Sequence, residues 1–266
     1  FYLDKMLELG ASVNFYMYYG GTNFFYFNGA NGDRLSYQAD PTSYDYDAPL
    51  SEAGDITYKH GEIRKVIQKY FPDLPEYDVK NTTKKSYGQI KFTQGVSLYD
   101  TLDSITTKTV SSEQLQTFEA MGADFGFVLY STYSKNGGLL NIIHARDRAS
   151  IFVNKKFVAS YFRAEEKVTT IEAGDIDILV ENCGRINYGL DFVDYKGLTG
   201  GVKLNFFDLK NWTARIIPLN NTDGIKFTDQ IPTNTSAFYR AVFNIDEDPV
   251  DTFFNPKGLS KGIAFI

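Results

Sequence analysis

The chain has 266 residues, 43% hydrophobic and 23% charged, with a formal net charge of −6 and a pI of about 5.1. That composition is ordinary for globular proteins and leaves room for one large domain or two smaller ones. The acidic balance and the lack of a basic stripe exclude a nucleic-acid partner, and no run of 18 apolar residues exists to span a membrane.

Phe1–Gly10 reads as the tail of a helix, with Leu3, Met6 and Leu7 on one face and Gly10 stopping it. Ala11–Gly21 (ASVNFYMYYGG) is a nearly continuous apolar and aromatic run, which predicts a strand buried on both faces, as in a parallel sheet. A long loop, Thr22–Leu50, follows, and loops of that length in compact domains usually serve function. Ile56, Ile63, Val66, Ile67 and Tyr70 then recur at helical spacing over Asp55–Phe71, with Asp55 as the expected N-cap and Pro72 as the stop. Helix, buried strand, long loop and helix make one unit of a (β/α) barrel, in which the loop after each strand lies at the active-site face.

Phe71–Lys85, with two prolines and mixed charges, reads as a linker. Beyond it the hydrophobic period changes to two. Strands are expected at Gln89–Thr93, Gly126–Thr132, Leu139–His144, Ser150–Val153, Phe157–Ser160, Ile176–Glu181, Val202–Phe207, Thr213–Leu219 and Phe238–Ile245. Asn154-Lys155-Lys156 is the expected tip of a hairpin. Many short strands with no clear helix predict β-sandwich modules, with a break over Asn220–Asn234. The chain opens without a methionine and its last residues, Gly262–Ile266, read as part of a strand, so the expectation is an internal fragment of a longer protein.

Candidate chemistry is sparse. His60 falls in a helix and His144 ends a β run, and two isolated histidines make no metal site. Cys183, alone, reads as a packed thiol and can form no internal disulfide. No phosphate-binding loop is present, because Gly20-Gly21-Thr22-Asn23 is short and lacks a lysine. Asn81, Asn211, Asn220 and Asn234 begin N-x-[S/T] sequons and are glycosylation candidates, which favours the secretory pathway. Glycoside hydrolysis needs two carboxyls facing one another across a sugar. Asp45 and Asp47 are two apart on one segment and cannot readily do this, so hydrogen bonding to loop backbone is their plainer reading. Tyr44 and Tyr46 carry a ring that can stack on a sugar and a hydroxyl that can bond it, or they are simply packed aromatics.

The blocks NFYMYYGGTNFFYFNGAN and PTSYDYDAPLSEAGD resemble the last β/α unit of the β-galactosidases of glycoside hydrolase family 35, especially the animal lysosomal type. LVENCGRINYG and NWTARIIPL are similar to segments of that family's first β-domain. SAFYRAVFNI and DTFFNPKGLSKG resemble the start of its second, galactose-binding-like β-domain. The resemblance implies α/β plus all-β architecture. Residues 1–71 would be the C-terminal piece of a TIM-barrel catalytic domain and 72–109 a linker with a strand. Residues 110–219 would be the first β-domain, and 220–266 the truncated start of the second.

For function the resemblance implies a retaining exo-β-galactosidase acting on β-galactoside-terminated glycans, with no cofactor and no metal, in the lysosome or secreted. Tyr46 and Tyr44 would line the sugar pocket, as would Tyr16, which alternates with Asn14 and Tyr18 along the expected strand. Asp45 would brace the loop. The family's acid/base glutamate sits in an Asn-Glu-Tyr-Gly motif and its nucleophile in a Thr-Glu-aromatic context, and neither occurs here. The chain by itself is therefore expected to be inactive. A non-catalytic carbohydrate-binding β-sandwich and a scaffold within a lysosomal complex are the competing readings. Either a homodimer or such a complex is open for the full-length parent.

Overall fold

The computed structural model describes residues 1–32, 36–75, 77–163, 165 and 167–266. Residues 33–35 of the expected long loop and residue 76 of the expected linker lie outside the described residues. The chain divides into two compact units, one formed by 1–25, 42–88 and 244–266, the other by 26–41 and 89–243.

The first unit carries two helices, Tyr2–Glu8 and Tyr58–Tyr70. The shorter one ends where Gly10 turns to a positive φ of 73° and its amide bonds the Leu7 carbonyl at 3.0 Å. The two helices meet at Asp4, whose carboxylate accepts from Lys69 Nζ at 2.9 Å and from the Tyr70 hydroxyl at 2.8 Å. The N-cap of the longer helix is Thr57 rather than Asp55. Thr57 Oγ1 accepts from the Lys59 amide, while the Asp55 carboxylate is engaged by Lys84 Nζ at 2.5 Å. A carboxylate already paired to a lysine is not available to an orphan helix amide.

Ala11–Gly21 does not form the expected strand. It makes one parallel bridge, Tyr19 to Leu50, and Thr22 just beyond it bridges Ser43. An extended segment becomes a strand only when a neighbour offers a ladder, and these single bridges are too few. Val13, Phe15 and Met17 are accordingly half-buried, not core. Gly262–Ile266 likewise forms no strand, and Ile266 is fully exposed.

The second unit is a β-sandwich. Six antiparallel strands lie in the order Lys108–Ser112, Trp212–Ile217, Phe127–Ser134, Gly174–Glu181, Arg148–Val153 and Lys156–Phe162. A four-stranded sheet runs Val168–Ile171, Gly138–Ile142, Val202–Leu204, Phe207–Asp208. Both sheets give residues to one core: Val128, Tyr130, Ile151, Ile176 and Ile178 from the first, Leu140, Ile142, Ile171 and Val202 from the second. The period of two explains this, since every second side chain points to the same face. Burying each such side chain contributes about 1.5–3 kcal/mol.

The other face of the larger sheet carries the buried Asp177, which accepts from Tyr99 and Ser131 hydroxyls at 3.0 and 2.5 Å. Tyr99 belongs to the helix Leu98–Ile105, N-capped by Ser97. That helix and Phe118–Met121 were not expected; both are under three turns, too short for a helical period to register.

Other expectations shift at their edges. Residues 89–93 are not strand; the strand is Gln94–Ser97, paired with Ala237–Arg240. Val202–Phe207 is broken into a hairpin by Asn205 and Phe206, at φ 49° and 74°. Lys108–Ser112, Val168–Ile171 and Arg185–Gly189 are additional strands.

The long loop sends residues into this unit. Gly29–Gly32 pairs in parallel with Arg185–Gly189 and antiparallel with Tyr37–Ala39, making a three-stranded sheet of chain-distant parts.

Candidate functional site

The SYDYD segment folds around two glycines. A Cβ on Gly20 would lie 1.6 Å from the Tyr44 carbonyl oxygen, so only glycine admits that approach. The Tyr44 amide bonds the Gly21 carbonyl at 2.9 Å and the Asn23 amide bonds the Thr42 carbonyl at 2.6 Å. The chain then turns through two left-handed residues, Tyr46 at φ 62° and Asp47 at φ 49°. The turn is closed by the Ala48 amide on the Asp45 carbonyl at 3.2 Å. Lys59 Nζ holds it from the longer helix, at 2.5 Å from both the Asp47 carbonyl and its carboxylate. Positive φ at a tyrosine costs energy, and such strain tends to collect at functional loops.

This turn gathers the three tyrosines. The Tyr16 and Tyr46 rings meet edge to face with centroids 5.9 Å apart, and Tyr44 lies 5.5 Å from Tyr46. Tyr44 is half-buried, whereas Tyr46 is 57% and Tyr16 74% exposed, so the exposed Tyr46 ring sits between the exposed Tyr16 and the half-buried Tyr44. Tyr18 goes elsewhere: its hydroxyl shares a 2.8 Å hydrogen bond with His60 Nδ1, and burial pushes that phenol upward. His60 is thus a packing partner. His144 is exposed on a left-handed residue, at φ 56°. Cys183 is buried; its amide donates to Asp147 Oδ2 at 2.8 Å and its carbonyl accepts from Asn28 at 2.7 Å. Asn81, Asn211, Asn220 and Asn234 are all exposed. Among the described residues no group of three or more His, Cys, Asp or Glu could hold a metal ion, and no helix is long and apolar enough to cross a membrane.

The second unit contains a cluster that the sequence did not single out. Lys196 is fully buried, with Nζ 2.7 Å from Asp147 Oδ2, 2.8 Å from Asp194 Oδ2 and 2.7 Å from the Gly184 carbonyl. Arg163 bonds the same two carboxylates, at 2.8 Å to Asp147 and 2.7 Å to Asp194, and Arg146 adds a third cation 3.2 Å from Asp194. Burial pushes the Asp194 carboxyl up, but hydrogen bonds and charge from Arg163 and Lys196 outweigh it and hold the group below its ordinary value. The one sign in the sequence was GLDFVDYKG, a lysine and two aspartates spaced among apolar residues.

Tyr37, from the long loop, completes the cluster. Its hydroxyl lies 2.6 Å from the Gly184 carbonyl and 3.0 Å from Asp147 Oδ2. Its ring has the Arg163 guanidinium at 4.2 Å and Lys196 Nζ at 5.0 Å. Burial, then the Asp147 charge, pushes this phenol far above the ordinary tyrosine value, so it stays a donor.

An aromatic loop on strained backbone and a separate β-sandwich are the two features that the sequence comparisons resolve. Residues 1–70 match the model of the glycosyl hydrolases family 35, and residues 116–220 match that of the beta-galactosidase first all-beta domain. The chain belongs to the glycosyl hydrolases of family 35. It is 37% identical to the beta-galactosidase of Bos taurus over 100% of its length, and 36% identical to that of Homo sapiens over 99%. Beta-galactosidase 1 of Dictyostelium discoideum is 35% identical, again over 99%. The chain spans less than half of these relatives: 45%, 43% and 45% in the same order. A GH2 beta-galacturonidase from Eisenbergiella tayi aligns at 14% identity over 50% of this chain and 26% of its own, with a TM-score of 0.26, too low to carry an argument.

Proposed function

We propose that this chain is part of a retaining exo-β-galactosidase that releases terminal β-galactose from glycans. Residues 1–71 are the C-terminal piece of its (β/α) barrel, 72–109 a linker, 110–219 its first β-domain and 220–266 the start of a second. The observation that carries the reading is the tyrosine cluster. The Tyr46 ring meets both Tyr16 and Tyr44, with Tyr46 and Tyr16 exposed, and Tyr44 and Tyr46 sit on a loop that Gly20 and Lys59 fix.

Rings with exposed faces stack on the apolar face of a sugar, and their hydroxyls bond its oxygens. Tyr46 donates to the substrate or to the nucleophilic carboxylate, Tyr44 and Tyr16 form the pocket wall, and Asp45 closes the turn beneath. In the family pattern one glutamate attacks the anomeric carbon while another protonates the departing oxygen. Water, deprotonated by that second glutamate, then displaces the first and frees galactose with its configuration retained. Both glutamates belong to parts of the parent outside these residues. The exposed sequons fit glycosylation and a lysosomal or secreted location.

The test compares the 266-residue chain with a full-length parent on an aryl β-galactoside. The parent should release galactose and the chain alone should not, since the loss of both carboxylates removes on the order of 10⁶-fold or more of the acceleration. Release by the purified chain above a mock preparation would contradict the proposal.

A further inference from the structure

One end of the β-sandwich is built from four turns, at residues 135–137, 154–155, 172–173 and 205–206. Two asparagines lock them together. Asn205 Oδ1 accepts from the Leu139 amide at 2.9 Å, and its Nδ2 donates to the Gly137 carbonyl at 3.0 Å. Asn154 Oδ1 accepts from the Asp175 amide at 3.1 Å, and its Nδ2 donates to the Ala173 carbonyl at 3.2 Å. Between these two pairs, a Cβ on Gly137 would stand 2.6 Å from the Ile171 carbonyl oxygen. Each asparagine opens a turn of left-handed backbone: Asn154 and Lys155 at φ 49° and 65°, Asn205 and Phe206 at φ 49° and 74°. Glycine is the usual second residue of such a turn. Lys155 and Phe206 stand there instead, followed by Lys156 and Phe207. Phe206 is 86% and Phe207 78% exposed. A ring on left-handed backbone in water costs conformational energy and returns no burial.

The charges at this end point the same way. Lys135, Lys155 and Lys156 are exposed, and none makes an ion pair among the described residues. Lys155 leans over the Tyr99 ring at 5.6 Å. The four turns carry one acid, Glu172, and its carboxylate accepts from Asn154 Nδ2 at 3.2 Å. A cationic end with two bare rings thus belongs to a chain of net charge −6. We propose that this end of the sandwich docks on an anionic lipid bilayer. Phe206 and Phe207 enter the boundary between headgroups and acyl chains, and the three lysines meet the anionic headgroups. Two rings on a tight turn offer little of the roughly 800 Å² that each partner gives to a stable protein interface. A bilayer deforms around them and buries both. The site lies wholly within the second unit and is independent of the galactosidase reading.

The test is co-sedimentation of the 266-residue chain with vesicles of phosphatidylcholine, with and without phosphatidylserine. The chain should bind the mixed vesicles and bind pure phosphatidylcholine about fivefold more weakly or worse, since one lysine near an anionic surface is worth about that factor. Phe206→Gly separates binding from folding. Glycine relieves the left-handed backbone, so the melting temperature should rise. The ring is gone, so binding to the mixed vesicles should fall about tenfold or more. Lys135→Gln combined with Lys156→Gln should weaken binding to the mixed vesicles and leave binding to phosphatidylcholine unchanged. Failure of the native chain to bind either vesicle would overturn the proposal, as would native-level vesicle binding by a folded Phe206→Gly. Tight binding to heparin that survives Phe206→Gly, with no binding to the vesicles, would make the lysines a site for a soluble polyanion and would overturn it too.

Discussion

The backbone at Gly20 lies directly against the Tyr44 carbonyl, where a Cβ would stand 1.6 Å from the oxygen. Gly20→Ala must push the two segments apart and so displace the tyrosine turn. Overpacking of this kind costs about 1–3 kcal/mol. Gly61→Ala, in the first turn of Tyr58–Tyr70 and half-buried but with nothing within 4 Å of its Cβ, should instead stabilise by about 0.5–1 kcal/mol. Opposite shifts of melting temperature check the pair; a silent Gly20→Ala would mean that the close approach is not required.

Lys196 and Asp147 make the second test. Both side chains are fully buried, and Lys196 faces two carboxylates. Removing one partner of a buried pair leaves charge uncompensated, at about 3–5 kcal/mol. Lys196→Met is therefore expected to lower the urea midpoint by that equivalent. Lys203→Met, at a half-exposed lysine 3.7 Å from Asp208, should cost less than about 1 kcal/mol. Equal midpoints for the two variants would contradict the assignment of the cluster as a stability centre.

The same cluster sets a pH expectation. Asp194 is held below its ordinary value by Arg163 and Lys196. A depressed carboxyl contributes stability that is present above its unfolded value, about 3.9, and lost as pH falls through the lower folded value. The Asp194 contribution should thus be intact from neutral pH down to about 4 and fade only below that. Urea midpoints measured from pH 7 to pH 3 for wild type and Asp194→Asn provide the check. The difference between them should be constant to about pH 4 and shrink below it. A difference that vanished by pH 5.5 would show that Asp194 titrates higher than the geometry implies.

What was legible in the sequence follows from how local each signal is. The alternation Val128, Tyr130, Thr132 and Ile176, Ile178, Val180 announced the sandwich core, because period two needs no knowledge of partners. The Tyr16, Tyr44, Tyr46 cluster came from motif resemblance, and its rings do meet. The strand expected at Ala11–Gly21 did not form, because apolar continuity describes a segment that wants neighbours and cannot supply them. Asp55 lost the N-cap to Thr57 through a lysine 29 residues away. The partnership of Asp147 with Lys196 could not be read from GLDFVDYKG for the same reason: the two residues, 49 apart, are united only by folding.

The central claim, that the tyrosine loop is the wall of a sugar pocket, is tested most directly by kcat/KM of Tyr46→Phe in the full-length parent, measured beside its thermal unfolding. The substitution keeps the exposed ring and removes one donor. A hydrogen bond to a charged group is worth about 1.5–3 kcal/mol, so the account predicts a loss of roughly 10- to 150-fold in kcat/KM with the melting temperature unchanged. Unaltered kinetics in a stably folded Tyr46→Phe would leave the residue a packed aromatic and contradict the account.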